Sequence, residues 1–467
     1  MVTALHPKAA HTIKIDFSPE NITAFGGLAL CERLASRLGL WKTLGGALPR
    51  RQGRYDWPSI VKSIVNGLLS GSRGTWAAEE LREDKALQGL LGLAGAPEEA
   101  TVWRALQGLG QLADSGGLGR IHNVWARRIL GRAARHDLLL DGFVPVFGDG
   151  TLLEGSRRRE GTKYIEDKGA GLLWNTIYVG PLLAAQRLAR EGEGEQTCVR
   201  ALLPVVVDQV LRPLKLHKKA LALLDSLHGD GPTLELLEGL RLRHVVGANK
   251  LSETDATLQG QPAAVWEATG PNRALGWADS AVCTCWIQCR DWSRKRLLVG
   301  RRWRREGEFL WNHAGAITDL ESADVAHLMA DGLSFARAIW RLYDAKAGME
   351  TQYKDALIDL GLHRPPCREH ARNAGFYAVA TLAHTLGVGV DLIGGRNAER
   401  GSLRRADGGR RKRAKPRRMR LWRLRRRLFA LPARIATHAR ELKVTLLGLS
   451  ERMRQEFQRY FSNVCRC

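Results

Sequence analysis

Three acidic residues carry the chemistry that this sequence suggests. Asp149 follows the apolar run Phe143, Val144, Pro145, Val146 and Phe147, and Asp225 follows the apolar residues 220–224, so each stands at the end of a strand-like stretch. Glu350 lies in a helical pattern that opens near Ser334 and stops at Gly361, a residue suited to the left-handed turn after a helix. In that pattern Tyr343, Lys346, Glu350, Lys354 and Leu357 recur every three or four positions, which puts a phenol, two ammonium groups and one carboxylate on one face. A carboxylate flanked by cations is ordinary on a solvated helix. Two strand-end aspartates followed by a helical glutamate are instead the layout needed to hold two divalent metals. Mg2+ or Mn2+ takes oxygen ligands and keeps several waters, so three carboxylates supply charge without filling the coordination sphere. Two such ions about 4 Å apart can activate a water and stabilise the leaving oxyanion of a phosphodiester. Asp141 and Asp230 are the nearby alternatives for the first and second acid.

Bringing residues so distant in sequence to one point takes a large fold. The chain of 467 residues is long enough for a sizeable core and about three domains. Its 44% hydrophobic and 26% charged residues suit a soluble globular protein. A formal charge of +24 and a pI near 10.2 call for a polyanionic partner, nucleic acid first and an anionic membrane surface second. The first residues contain no apolar secretory segment, so the eight cysteines are read as thiols of a reducing, cytoplasmic protein, nucleoid-associated if its partner is DNA. Cys283, Cys285 and Cys289 lack a second pair at zinc spacing, and the alternation through 282–287 fits a strand. The run 376–395 approaches membrane-span length, but His384 and Asp391 interrupt it, which favours a buried core helix and no membrane partner.

Residues 1–135 read as helical. Trp57 and Pro58 open one helix, since proline is tolerated in the first turn, and Ile60, Val61, Ile64, Val65, Leu68 and Leu69 form its buried stripe. Thr101 can cap another that carries Val102, Leu106 and Leu109. Arg73, Arg82, Arg104, Arg127 and Arg128 are scattered over these helices, which suggests a helical DNA-binding domain; a packing or oligomerising domain is the plainer reading.

From residue 138 the pattern becomes strand-like. Stretches 138–149, 174–179 and 182–188, separated by short turns and a basic, glycine-rich loop, suggest an antiparallel meander. A helical run at 198–211, a strand at 220–225, a helix at 233–240 and a strand at 244–247 follow. This is the element order of an RNase H-like core, α/β in class, with its first part over 136–250 and its second over 319–395.

Between them, residues 251–318 read as a β-rich insertion holding Trp266, Trp277, Trp286, Trp292, Trp303 and Trp311, six of the fourteen tryptophans. Core packing accounts for most such rings. Stacking on an unpaired base is the sharper option for Trp292 and Trp303, which stand beside Arg294, Lys295, Arg296, Arg301, Arg302, Arg304 and Arg305. Residues 396–467 form a helical, basic C-terminal region. Within it, 404–427 carry fourteen Arg or Lys, among them Arg411 and Arg413, against the single acid Asp407. Such a run suits an arm that neutralises phosphates without reading sequence, or else a solvated basic helix face. An amphipathic helical pattern returns over 431–461.

Residues 138–386 resemble the DDE transposases of bacterial insertion sequences with a β-strand insertion in an RNase H-like core, nearest to the "1380" group, cousins of the piggyBac-type elements. The likeness is carried by Phe147, Gly148, Asp149, Gly150 and Thr151, by Leu223, Leu224, Asp225 and Ser226, and by Tyr343, Lys346 and Glu350. Phe25, Gly26, Gly27 and Leu28, and Thr101, Val102, Trp103 and Arg104, extend it toward the start. The resemblance implies that Asp149, Asp225 and Glu350 are the metal-binding triad, that Tyr343 is the signature tyrosine, and that Lys346 and Lys354 contact DNA phosphate. It also implies cleavage at element ends, transfer of a 3′-hydroxyl to target DNA, and a homodimer on paired ends. Two positions depart from the family signature: Lys346 stands where it has arginine, and Leu357 where it has lysine. Lysine supplies charge but not the planar fork.

On the residues alone three functions stand: an active transposase, a metal-dependent nuclease or domesticated relative without strand transfer, and a basic architectural protein that only binds DNA.

Overall fold

Asp56 starts the first long helix, α1 (Trp57–Ser70), by accepting the Ser59 N–H, and Pro58 occupies the first turn. Its expected stripe from Ile60 to Leu69 is buried. Two further helices follow, α2 (Glu99–Asp114) and α3 (Gly117–Arg132); α2 starts ahead of Thr101, the expected cap. The structure, a computed structural model, describes residues 21–155, 158–165, 169–249, 252–395, 418–438 and 441–467.

Five strands form the middle of a mixed sheet: β1 (Val144–Glu154), β2 (Gly169–Val179), β3 (Leu182–Leu188), β4 (Ala220–Leu224) and β5 (Arg243–Gly247). Their spatial order is β3–β2–β1–β4–β5. The first three make the expected antiparallel meander, while β1, β4 and β5 run parallel. Helix α4 (Glu195–Val206) connects the meander to β4. One expectation is corrected here. Asp149 does not end its strand, because β2 pairs with β1 as far as Glu154. What stops beside Asp149 is the parallel partner, whose last register pair with β1 is Phe147 with Leu223.

Residues 252–318 begin with a helix at Ser252–Gln259, and three longer strands follow. Strands β6 (Asp279–Ile287), β7 (Arg296–Arg304) and β8 (Asn312–Thr318) pair in antiparallel fashion, and β8 joins β5 through Ala316 and Gly247. The region therefore extends the central sheet.

The stretch around Glu350 differs from the continuous helix that its spacing predicts. Ser334 caps α5 (Phe335–Asp344), a 3₁₀ turn covers Ala345–Gly348, α6 spans Met349–Lys354, and a π turn covers Asp355–Asp359. Gly361 ends the series with φ of 69°, as expected. A 3₁₀ segment has three residues per turn rather than 3.6, so the run from Tyr343 to Lys354 does not keep the periodicity of one continuous α-helix.

The 25-residue helix α7 (His370–Gly394) is long and apolar enough to cross a membrane, but its apolar window is 100% buried inside the protein. Gly375 lets its backbone touch α2: a Cβ there would lie 2.5 Å from the Leu106 carbonyl oxygen. Helices α1 and α3 also pack on α7, and one apolar core includes both Leu28 and Val464.

The helical pattern expected over 431–461 is corrected to a hairpin followed by a helix, while 421–429 are helical. Ala433–His438 pairs with Glu441–Leu446 and with Ile22–Thr23 in a three-stranded sheet, and the helix begins only at Glu451. Ala433 and Ile435 are buried while Arg434 and Ala436 are exposed, a period of two that marks a strand. Residues 404–417, with Arg411 and Arg413, lie outside the described residues. Residues 418–427 are not a free arm: Leu421 and Leu424 are in the core, and the Arg418 side chain is 14% exposed.

Candidate metal centre

Asp149 and Asp225 stand side by side because their strands do. Each lies two residues beyond the Phe147–Leu223 register pair of parallel β1 and β4. The Asp149 carboxylate accepts the Gly150 N–H at 2.9 Å, while its backbone carbonyl accepts the Tyr353 hydroxyl at 3.0 Å. Asp225 caps the 3₁₀ turn Ser226–His228 by accepting the Leu227 N–H at 3.1 Å. The alternative acids are placed elsewhere: Asp141 pairs with Arg341, and Asp230 caps Gly231–Gly239 and pairs with Arg200.

Two residues that the sequence motifs did not point to complete the cluster. Glu195, in the first turn of α4, packs onto Gly150, where a Cβ would come within 2.5 Å of its carboxylate. His228 is fully buried, and its Nε2 lies 3.2 Å from Glu195 Oε1 and 3.8 Å from Asp225 Oδ1. Asp225 and His228 are three positions apart, a spacing that brings side chains together on a helical turn and was the available signal. Glu195 carried no comparable signal, because its contact is made through the tertiary fold.

The ligand atoms of Glu195, Asp225 and His228 lie within 4.8 Å of one another. A divalent cation about 2.0–2.4 Å from each fits such a set. The donors are chemically suitable as well, and the imidazole widens the choice toward transition metals. Burial raises the Asp149 carboxyl, the Lys346 charge lowers it, and the charges of Glu195 and Asp225 raise it again, to about 7. Burial also opposes ionisation of Glu195, but hydrogen bonds from His228, Gly150 and Asp149 hold its pKa below the ordinary range. Of the two carboxyls, Asp149 is therefore the one that more readily takes up a proton.

Lys346, on the 3₁₀ turn, places its ammonium 3.8 Å from Asp225 Oδ2. Tyr343 lies over Gly247 at the end of β5, and burial followed by the Asp225 charge raises its phenol to about 12. Glu350 is the second residue of α6, and its side chain lies outside the described residues. Lys354, at the end of α6, is exposed.

The tryptophan and arginine positions expected to meet DNA are engaged within the protein. Trp292 is buried, with the Arg296 guanidinium over its ring, so it has no free face for a base. Trp303 stacks on Trp277 at 5.1 Å. Arg301 lies between Trp277 and Trp340 and pairs with Asp344. Arg304 pairs with Asp279 and covers Trp311. These contacts stiffen β6 and β7. Exposed apolar side chains of this region include Trp286, at 66% exposure, and Phe309 and Leu310 in the loop after β7, at 93% and 84%.

No protein-family model matches the sequence, and no curated protein does. Among solved structures the chain is similar to a piggyBac transposase in a synaptic complex with hairpin DNA, at 11% identity and a TM-score of 0.37, over 77% of this chain and 73% of that one. So distant a likeness carries no functional argument, which rests instead on the residues of the site.

Proposed function

We propose that this chain is a DDE-type DNA transposase that cuts phosphodiesters at the ends of a mobile element and joins the freed 3′-hydroxyl to target DNA. The observation that carries the reading is the meeting of Asp149 and Asp225 on adjacent parallel strands, with Glu195, His228 and Lys346 around them. The strand order β3–β2–β1–β4–β5 supports treating the five strands as an RNase H-like core, with 251–318 inserted in it. The charge of +24 supports DNA as partner. The sequence motifs add the transposase reading, in which two copies would act on paired DNA ends in the cytoplasm, at the nucleoid.

Asp149, Asp225, Glu195 and His228, with Glu350 from α6, would hold Mg2+ or Mn2+, two ions in this reading. Bound there, the ions would supply an activated water and counter-charge for the departing oxygen. The chain's own residues do the rest. Lys346 balances Asp225 until a phosphate is present, and then offers its ammonium to a non-bridging oxygen. Asp149, near pKa 7 in the metal-free protein, must give up its proton before it can hold a cation. Tyr353 fixes the backbone at Asp149 through its hydrogen bond to that carbonyl.

The test compares Glu350→Gln with the wild type in a gel shift and in Mg2+-dependent nicking of element-end DNA. Binding is expected to persist, since phosphate contacts come from arginine and lysine elsewhere, while nicking and joining fall to background. A variant that nicks at the wild-type rate would remove Glu350 from the site. Lys346 and Leu357, which depart from the transposase signature, favour as second reading a nuclease that cuts without joining; nicked but never joined products would select it.

A further inference from the structure

We propose that Arg418 and Arg420 are positioning residues for the cutting site. They hold the segment that carries Glu350 against the sheet that carries Asp149, an inference that rests on the phosphodiester reading above.

Helix α6 runs directly into the π turn that holds Asp355 and Asp359, whose exposures are 0% and 8%. Two carboxylates buried just behind α6 are unstable there unless they are paired and hydrogen-bonded. Their partners come from the ribbon 418–425. The Arg418 guanidinium sits on Asp355, which also accepts the Leu421 N–H at 3.1 Å. Arg420 grips Asp359 with two nitrogens, at 2.5 and 3.3 Å, and the Trp422 N–H adds a third bond at 3.1 Å. Arg425 reaches the Asp359 carbonyl at 2.9 Å and the Leu69 carbonyl of α1 at 2.9 Å. A forked arginine together with backbone N–H groups fixes direction as well as charge.

The ribbon is itself anchored. The Met419 N–H donates to Asp391 of α7 at 2.9 Å, and the Tyr460 hydroxyl donates to the same carboxylate at 2.9 Å. On its other side the Arg418 charge acts on the Tyr178 phenol of β2. Tyr178 meets the Tyr353 ring of α6 edge-on at 5.6 Å. Tyr353 donates to the Asp149 carbonyl and shares a 2.6 Å hydrogen bond with Thr176. Helix α6 is thus tied to the first acid through Tyr353 and, directly after its last turn, to the ribbon through Asp355.

Arg418→Met alone would strand a buried carboxylate, so the variant is Asp355→Asn/Arg418→Met in the full chain, beside Arg420→Met and Arg420→Lys. The probes are a plain duplex for gel shift, a supercoiled plasmid with Mg2+ for nicking, and hydrogen exchange of the backbone amides of 349–354. In the double variant, exchange in 349–354 rises about tenfold while α7 stays protected. Nicking at saturating DNA falls about a hundredfold, the scale set by a 1 Å misplacement of reacting groups, and duplex affinity stays within about threefold. Arg420→Met gives the same split in smaller measure, and Arg420→Lys recovers part of it. Should the double variant not melt cooperatively, Arg420→Lys, which keeps a positive charge beside buried Asp359, decides on the same readouts. Unchanged exchange in 349–354 overturns the proposal, as does faster exchange with unchanged nicking. A wild type that never nicks sinks the phosphodiester reading instead, and exchange alone then decides whether these arginines hold α6.

Discussion

The Lys346 ammonium lies 3.8 Å from the Asp225 carboxylate, brought there by a 3₁₀ turn that interrupts the helix on either side. It also lowers the pKa of Asp149. One side chain therefore serves as counter-charge to both aspartates while no other cation is bound.

Replacing Lys346 with methionine should raise Asp149 further above about 7. Each unit of that rise corresponds to about 1.4 kcal/mol between the protonation states. The pH midpoint of Mg2+-dependent nicking should move upward, with more activity lost at pH 7 than at pH 8.5. A rate profile over that range checks it; a midpoint that stays in place would show that Lys346 does not act on Asp149.

Asp149→Asn should stabilise the metal-free protein at alkaline pH. The folded pKa of about 7 exceeds the ordinary aspartate value near 3.8, so the folded state holds the proton more tightly than the unfolded chain. The cost of ionising Asp149 is absent below about pH 3.8, grows as pH rises, and is complete above about 7. Removing the charge should recover on the order of 1–3 kcal/mol at pH 8 and less at pH 5. Melting curves in EDTA at the two pH values give the comparison, and a lower Tm for the variant at pH 8 would count against the assignment.

Two buried histidines should govern acid sensitivity. Burial depresses His122 to about 4 and His384 to about 3, and His384 has no hydrogen-bond partner at either ring nitrogen among the described residues. The unfolded chain takes up protons near pH 6.5 that the folded chain refuses. Stability is therefore full above that pH and is lost on acidification, by up to about 1.4 kcal/mol per pH unit for each group until its folded pKa is reached. His384→Leu should flatten the fall in denaturation midpoint between pH 6 and 4.5. An unaltered slope would mean that the ring is solvated.

Deleting 404–417 should weaken binding to all DNA sequences alike and reduce the salt slope by about 0.9 for each phosphate no longer neutralised. Extending the deletion to 427 should unfold the protein, because Arg418, Arg420 and Arg425 hold Asp355 and Asp359. Gel shifts across a salt series, with a melt of each deletion, separate the two effects. A stable protein lacking 418–427 would contradict the packing described.

Residues 404–427 show where sequence reasoning reached its limit. Their charge density made them look like one solvated run, yet 418–427 are held by distant buried partners that composition does not reveal. The β1–β5 strands and the α1 stripe were legible because their apolar periodicity is local. The break at Ala345–Gly348 was hidden, since a 3₁₀ turn preserves an i, i+3 pattern while rotating the faces. Asp149 and Asp225 were found from strand-like runs. Glu195 was not, since it reaches Asp149 only once α4 has docked against β1 and β2. For Trp292, which is buried, the sequence left two readings open, core packing and base stacking, because a tryptophan beside arginines looks alike whether those arginines cover the ring or leave it open.

The pairing of Thr23 with Ala433 has a consequence for the order of events during synthesis. The strand at Ile22–Thr23 must wait for its partner until about four hundred further residues have left the ribosome. Contacts of such sequence separation are slow to form. The ribbon that braces α6 emerges in the same late interval. A nascent chain that stopped short of residue 418 would carry both strand aspartates yet lack the brace behind Glu350, so any cutting activity would mature only after that ribbon has been made.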